Sequence, residues 1–168
     1  MQERKTDCKN NRIYVLMGVS GVGKSTVGIL LAKELKIPFF DGDDYHPDEN
    51  VLKMKQGVAL NDGDRKGWLE VLHNLAKEQL AKEGAVIACS ALKDSYRTKL
   101  SIGIAPFIKW IQITGSYELI LNRLGGRRGH FMTSDLLQSQ FDTLERPVNA
   151  LELSCENTPG ELVESVIT

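Results

Sequence analysis

Long apolar runs are missing from this chain. None approaches the ~20 residues that a membrane-spanning helix needs, and the opening segment, residues 1–12, is polar and lacks the apolar core of a signal peptide. It reads as a flexible leader. Cysteine is scarce: Cys8, Cys89 and Cys155 are an odd, scattered set. That excludes a disulfide framework and a zinc spacing, and it suits a reducing, cytoplasmic setting. The three histidines, His46, His73 and His130, are far apart and form no metal constellation. Each reads first as a packing or capping residue. An excess of either charge is also lacking, since 21 Lys and Arg stand against 22 Asp and Glu. Nothing in that balance points to a nucleic acid or a membrane surface. Internal repeats and low-complexity segments are absent, and 168 residues are enough to bury a substantial core in one domain.

What the chain does have is Gly18-Val19-Ser20-Gly21-Val22-Gly23-Lys24-Ser25, which fits G-x-x-x-x-G-K-[ST], the phosphate-binding loop pattern. A strand-like run, 13–17, precedes it and a helical stretch, 26–35, follows. The glycines let backbone N–H groups turn inward around phosphate oxygens, and the helix N-terminus adds its dipole. Gly18, Ser20, Gly21, Val22, Gly23, Lys24, Ser25 and Thr26 are therefore the expected nucleotide contacts. Lys24 is expected at the β/γ-phosphates, and the Ser25 hydroxyl on Mg²⁺.

Strand-like and helical segments alternate through the rest. Strands are expected at 37–40, 85–89, 107–113 and 151–154, and helices at 47–55, 65–82, 93–100, 117–124, 134–144 and 159–167, with 61–64 as a polar joint. This predicts an α/β fold of three layers, with a central parallel sheet of about five strands and helices on both faces. Ligands of such sheets sit beyond the carboxyl ends of the strands, so the loops after 17, 40, 89 and 113 carry the chemistry.

Asp41 and Asp43 follow the second strand. One carboxylate can hold Mg²⁺, the other can orient or deprotonate an attacking hydroxyl. If the strand continued, both would share one face. Alone, an Asp-Gly-Asp could equally be a solvated turn. Asp41 is the expected metal residue beside Ser25, because the third strand ends in Cys89-Ser90 and brings no carboxylate. An anionic acceptor needs fixed cations, and Arg65 and Arg97 are the candidates, with 44–66 as the acceptor region. Arg123, Arg127 and Arg128 cluster with Gly125, Gly126 and Gly129, which suggests a lid over 123–134 that brings cations to the transferring phosphoryl group.

Taken together, MGVSGVGKST (17–26), DGDDYHP (41–47), LNDGDRKGWL (60–69), CSALKDSYR (89–97), RLGGRRGHFM (123–132) and SQFDTLERP (139–147) resemble the gluconate kinase family, P-loop kinases related to shikimate and adenylate kinases. The resemblance implies an ATP-dependent enzyme that phosphorylates the 6-hydroxyl of D-gluconate. Lys24, Asp43 and Arg127 would be catalytic. Arg123 and Arg127 would bind nucleotide, and Asp43, Arg65, Arg97 and His130 would face the sugar acid. The family is often a homodimer. One departure is Gly67, where the family has Pro before its Trp. Two other readings stay open on the residues themselves: a kinase for shikimate or a nucleoside monophosphate, and a nucleotide-switched binding protein.

Overall fold

A computed structural model describes residues 11–126 and 133–168. Its elements run β1 (Ile13–Met17), α1 (Lys24–Leu35), β2 (Phe39–Asp41), α2 (Asp48–Lys55), α3 (Asp62–Leu80), β3 (Ala85–Ala88), α4 (Asp94–Ser101), β4 (Ile108–Thr114), α5 (Tyr117–Gly125), α6 (Ser134–Thr143), β5 (Leu151–Ser154) and α7 (Pro159–Ile167). Short 3-10 turns cover Gly42–Tyr45 and Ala105–Phe107. The five strands form one sheet in the order β2-β3-β1-β4-β5, and every pairing is parallel.

The strands are apolar on both faces because helices cover both. Leu16, Val86, Ile111 and Ile113 pack under α1, α5, α6 and α7. On the other face Ile13, Val15, Met17 and Ile87 meet Trp68, Leu69 and Leu72 of α3 and Tyr96 and Leu100 of α4. Alternation along β1 thus divides its side chains between two cores. Cys89 and Cys155 are buried in these cores and carry free thiols. Burial pushes the Cys89 thiol up to about 12, so it is inert as a nucleophile near neutrality.

Two of the departures from the expected boundaries share one cause. The polar joint at 61–64 is the first turn of α3. The Asn61 side chain accepts the Asp64 N–H at 2.8 Å, and the Asp64 carboxylate accepts the Asn61 N–H at 3.0 Å. That reciprocal capping box starts the helix three residues before the expected Arg65. Likewise the chain leaves β2 at Asp41 and tightens into a 3-10 turn that Asp41 caps, accepting the Asp43 N–H at 3.0 Å. Asp41 and Asp43 therefore do not alternate along a strand. Short polar side chains that bond nearby backbone favour caps over strand continuation.

Candidate active site

The loop between β1 and α1 wraps into a cradle at the carboxyl edge of the sheet. Gly18, Gly21 and Gly23 all have positive φ, at 140°, 86° and 101°. A Cβ on Gly18 would lie 2.5 Å from the Ile113 carbonyl oxygen, so the loop departs hard against β4. Val19 and Val22 are buried and anchor the loop from below. Val22 can therefore offer a phosphate only its backbone. Lys24 folds back inside the cradle, and its Nζ donates to the carbonyls of Gly18 (3.1 Å) and Val19 (3.0 Å). Burial lowers the Lys24 pKa, and the nearby charges of Asp43 and Asp41 pull the other way. Thr26, in the first turn of α1, is exposed.

Ser25 and Asp41 meet, the Ser25 hydroxyl donating to Asp41 Oδ2 at 2.6 Å. They come from the start of α1 and the end of β2. β3 lies between β1 and β2 in the sheet, and it ends in Ala88-Cys89-Ser90 without a carboxylate. Among the described residues no three acidic, His or Cys groups gather to hold a metal. A hydroxyl beside one carboxylate suits Mg²⁺, which keeps several waters and leans on substrate phosphates.

A cavity of about 360 Å³ opens beside the cradle. Lys24, Ser20 and Ser90 border it on the phosphate side, and Asp43 and Asp44 at the 3-10 turn. The far wall is α2 and the start of α3, through His46, Val51, Met54, Leu60, Arg65 and Trp68. That wall stands where it does because Gly42 presses against β3, with room for no Cβ (2.5 Å from the Ala88 carbonyl oxygen), and because Trp68 Nε1 donates to the Gly42 carbonyl at 2.7 Å. Arg65 lies with its guanidinium over the Tyr96 ring, 5.3 Å from the centroid. Its Nε and Nη1 are buried and have no hydrogen-bond partner among the described residues. Buried, unpaired guanidinium N–H groups are costly, and a carboxylate is the group that a guanidinium bordering the cavity would match.

The other expected residues fall differently. Arg97 does not border this cavity. It is buried, donating from Nη1 to the carbonyls of Ala91 (2.8 Å) and Leu92 (3.3 Å) and from Nη2 to that of Glu145 (3.1 Å). It bolts the loop after β3 to the segment after α6, and a guanidinium so committed has little left for a sugar acid. Arg123 donates from Nη2 to the Cys155 carbonyl at 2.8 Å, and the adjacent Leu124 packs over the position of Gly21. Arg127 and His130, with half of the expected lid, lie outside the described residues.

Three residues given no role from sequence enter the site. Gln140 of α6 holds the phosphate loop: its Oε1 accepts the Ser20 N–H at 2.7 Å and its Nε2 donates to the Ser20 hydroxyl at 3.3 Å. His46 stacks on Trp68, with ring centroids 4.1 Å apart and planes 14° from parallel. Asn50 is buried behind His46. A lone His or Gln carries no local signal; only the positions of His46 in the DGDDYHP stretch and of Gln140 in the SQFDTLERP stretch marked them.

A parallel sheet, a phosphate cradle and a small polar cavity at one edge define a P-loop kinase for a small acceptor. The sequence profile of the shikimate kinase family matches residues 20–135. A probable gluconokinase of Rattus norvegicus is 43% identical, over 92% of this chain and 95% of that protein. The gluconokinase of Gluconobacter oxydans is 44% identical, over 93% of this chain and 89% of that one. The crystal structure of a gluconokinase from Sinorhizobium meliloti superposes with a TM-score of 0.81 at 39% identity, covering 92% of this chain and 88% of that chain. The chain belongs to the gluconokinase family, within the shikimate kinase-like P-loop kinases.

Proposed function

We infer that the protein transfers the γ-phosphoryl group of ATP to the 6-hydroxyl of D-gluconate, and that it does so in the cavity between the phosphate loop and α3. The observation that carries the site assignment is the sharing of one cavity by Lys24, Asp43 and Arg65. Phosphoryl transfer needs a held donor, a group to orient the nucleophile, and fixed counter-charge. The loop N–H groups of residues 21–26 hold the donor phosphates, and Lys24 leaves the Gly18 and Val19 carbonyls for the β/γ-oxygens. Asp43 orients the acceptor hydroxyl and takes its proton. Arg65 pairs with the acceptor carboxylate. Ser25 and Asp41 would hold Mg²⁺, which would supply charge neutralisation for phosphoryl transfer. Arg123 and Arg127 serve the nucleotide-side lid, and His130 faces the sugar acid. The free thiols of Cys89 and Cys155 suit a reducing compartment, and we place the enzyme in the cytoplasm.

ADP release measured over gluconate, other aldonates, shikimate and nucleoside monophosphates tests this reading. Turnover is expected with gluconate and not with a monophosphate. Turnover on a monophosphate alone would sink the acceptor assignment, and ATP binding without turnover on any acceptor would favour a nucleotide switch.

A further inference from the structure

The hydrogen bonds behind His46 fix where its proton lies. Asn50 is buried, and its Nδ2 donates to the Asp64 backbone carbonyl at 2.8 Å. A carbonyl only accepts, so the orientation of the Asn50 amide is determined. The same Nδ2 lies 3.3 Å from His46 Nδ1. A nitrogen facing an amide donor must offer its lone pair. Nδ1 therefore accepts, and a neutral ring carries its proton on Nε2. The ring cannot easily turn away, because it lies flat on Trp68, which is itself tied to the Gly42 carbonyl. His46 borders the same cavity as Asp43 and Arg65.

We propose that His46 is a specificity residue that touches the acceptor, donating its Nε2–H to a hydroxyl of the sugar-acid chain, with Asn50 and Trp68 as its positioning residues. The proposal rests on the cavity being the acceptor site. Burial, and then the Arg65 guanidinium, push the His46 pKa down to about 4. The donor is thus neutral near pH 7, and it does not compete with Arg65 for the carboxylate. Division of labour follows: Arg65 recognises the charge that all aldonates share, and His46 recognises one hydroxyl. A site built to bond a hydroxyl discriminates against the analogue that lacks it, because the site's own polar group is then left unpaired.

Two measurements test it. Long-range proton–nitrogen NMR on the ¹⁵N-labelled wild type should show the Nε2–H tautomer of His46 from about pH 5.5 to 8, with the Nε2 signal moving when gluconate is added. In kinetics, His46→Phe keeps a ring on Trp68 and removes the donor. It should raise the gluconate KM about tenfold, the scale of one lost hydrogen bond, with ATP KM unmoved. Among the monodeoxy gluconates, the one whose hydroxyl His46 reads should be penalised in the wild type and not in His46→Phe. His46→Gln, which restores an N–H, should recover part of the discrimination. An Nδ1–H tautomer, or a deoxy profile identical in wild type and His46→Phe, would overturn the proposal while Arg65→Ala still raised the gluconate KM. If Arg65→Ala left that KM unchanged, the cavity reading itself would fall.

Discussion

Arg65 carries the strongest electrostatic argument at the scale of single residues. Its Nε and Nη1 are buried without a partner among the described residues, whereas Arg97 has three carbonyls for itself. Both look alike in sequence: each is an Arg in a polar stretch that leads into or lies in a helix. What separates them is Glu145, 48 residues from Arg97, whose carbonyl no local pattern reveals. Arg65→Ala is therefore expected to weaken gluconate binding about 10²-fold, the scale of a charged, two-pronged pairing, and Arg97→Ala to lower the melting temperature instead. Equal gluconate affinity in the Arg65 variant and the wild type, measured by calorimetry, would contradict this. His46 adds a stability signature. The unfolded residue takes up its proton near pH 6.5, the folded one near 4. Between those values the unfolded chain binds more protons, so the contribution is complete above about pH 6.5 and is lost as pH falls toward 4. Arg65, Asp43 and Asp44 border the same cavity, and the Arg65 charge acts with burial in lowering the His46 pKa. Denaturant unfolding from about pH 7 to 4.5 should show a shallower decline in His46→Gln than in the wild type; parallel declines would mean that His46 titrates normally in the fold.

Among the elements, α3 was the most informative departure. Its core face, with Trp68, Leu69, Leu72 and Ala76 buried, was legible from the 3–4 spacing. Its start was not, because Asn61, Asp62, Gly63 and Asp64 have the composition of a turn and only the reciprocal Asn61–Asp64 bonds make them a cap. The same start sets the context of Gly67. It lies inside α3, five residues past the first turn's opening residue, is exposed, and a Cβ there would meet nothing within 4 Å. Gly67→Ala should then stabilise the protein by about 0.5–1 kcal/mol through helix propensity and a less flexible unfolded chain. Thermal melts read this directly as an increase of a few degrees; no change, or a decrease, would mean that the helix relies on Gly at that point. By contrast β1, the glycine loop and α1 were legible almost to the residue, since strand, cradle and helix are consecutive and each carries its own signal.

For the whole molecule, the strand order β2-β3-β1-β4-β5 explains why distant residues converge. β1 is central, and the chain crosses to the β2 edge before it returns through β3 and moves on to β4 and β5. The carboxyl edge at that reversal collects the loop after β1, the Asp41–Tyr45 turn after β2 and Ser90 after β3. Lys24 and Asp43 are brought to one cavity by this topology. The alternation of segments in the sequence predicted the layers, and the phosphate-loop pattern predicted which edge would carry the glycine cradle. The far wall was less legible, because it is assembled by Gly42, Trp68 and the α3 cap rather than by any one motif. The central claim is that Asp43 handles the gluconate hydroxyl opposite a phosphate held by the loop. Single-turnover phosphorylation of gluconate by Asp43→Asn, with ATP affinity measured on the same preparation, tests it most directly. The account predicts a rate reduced by about 10²-fold or more, the usual scale of lost acid–base help, with ATP binding nearly intact; a rate equal to that of the wild type would contradict it.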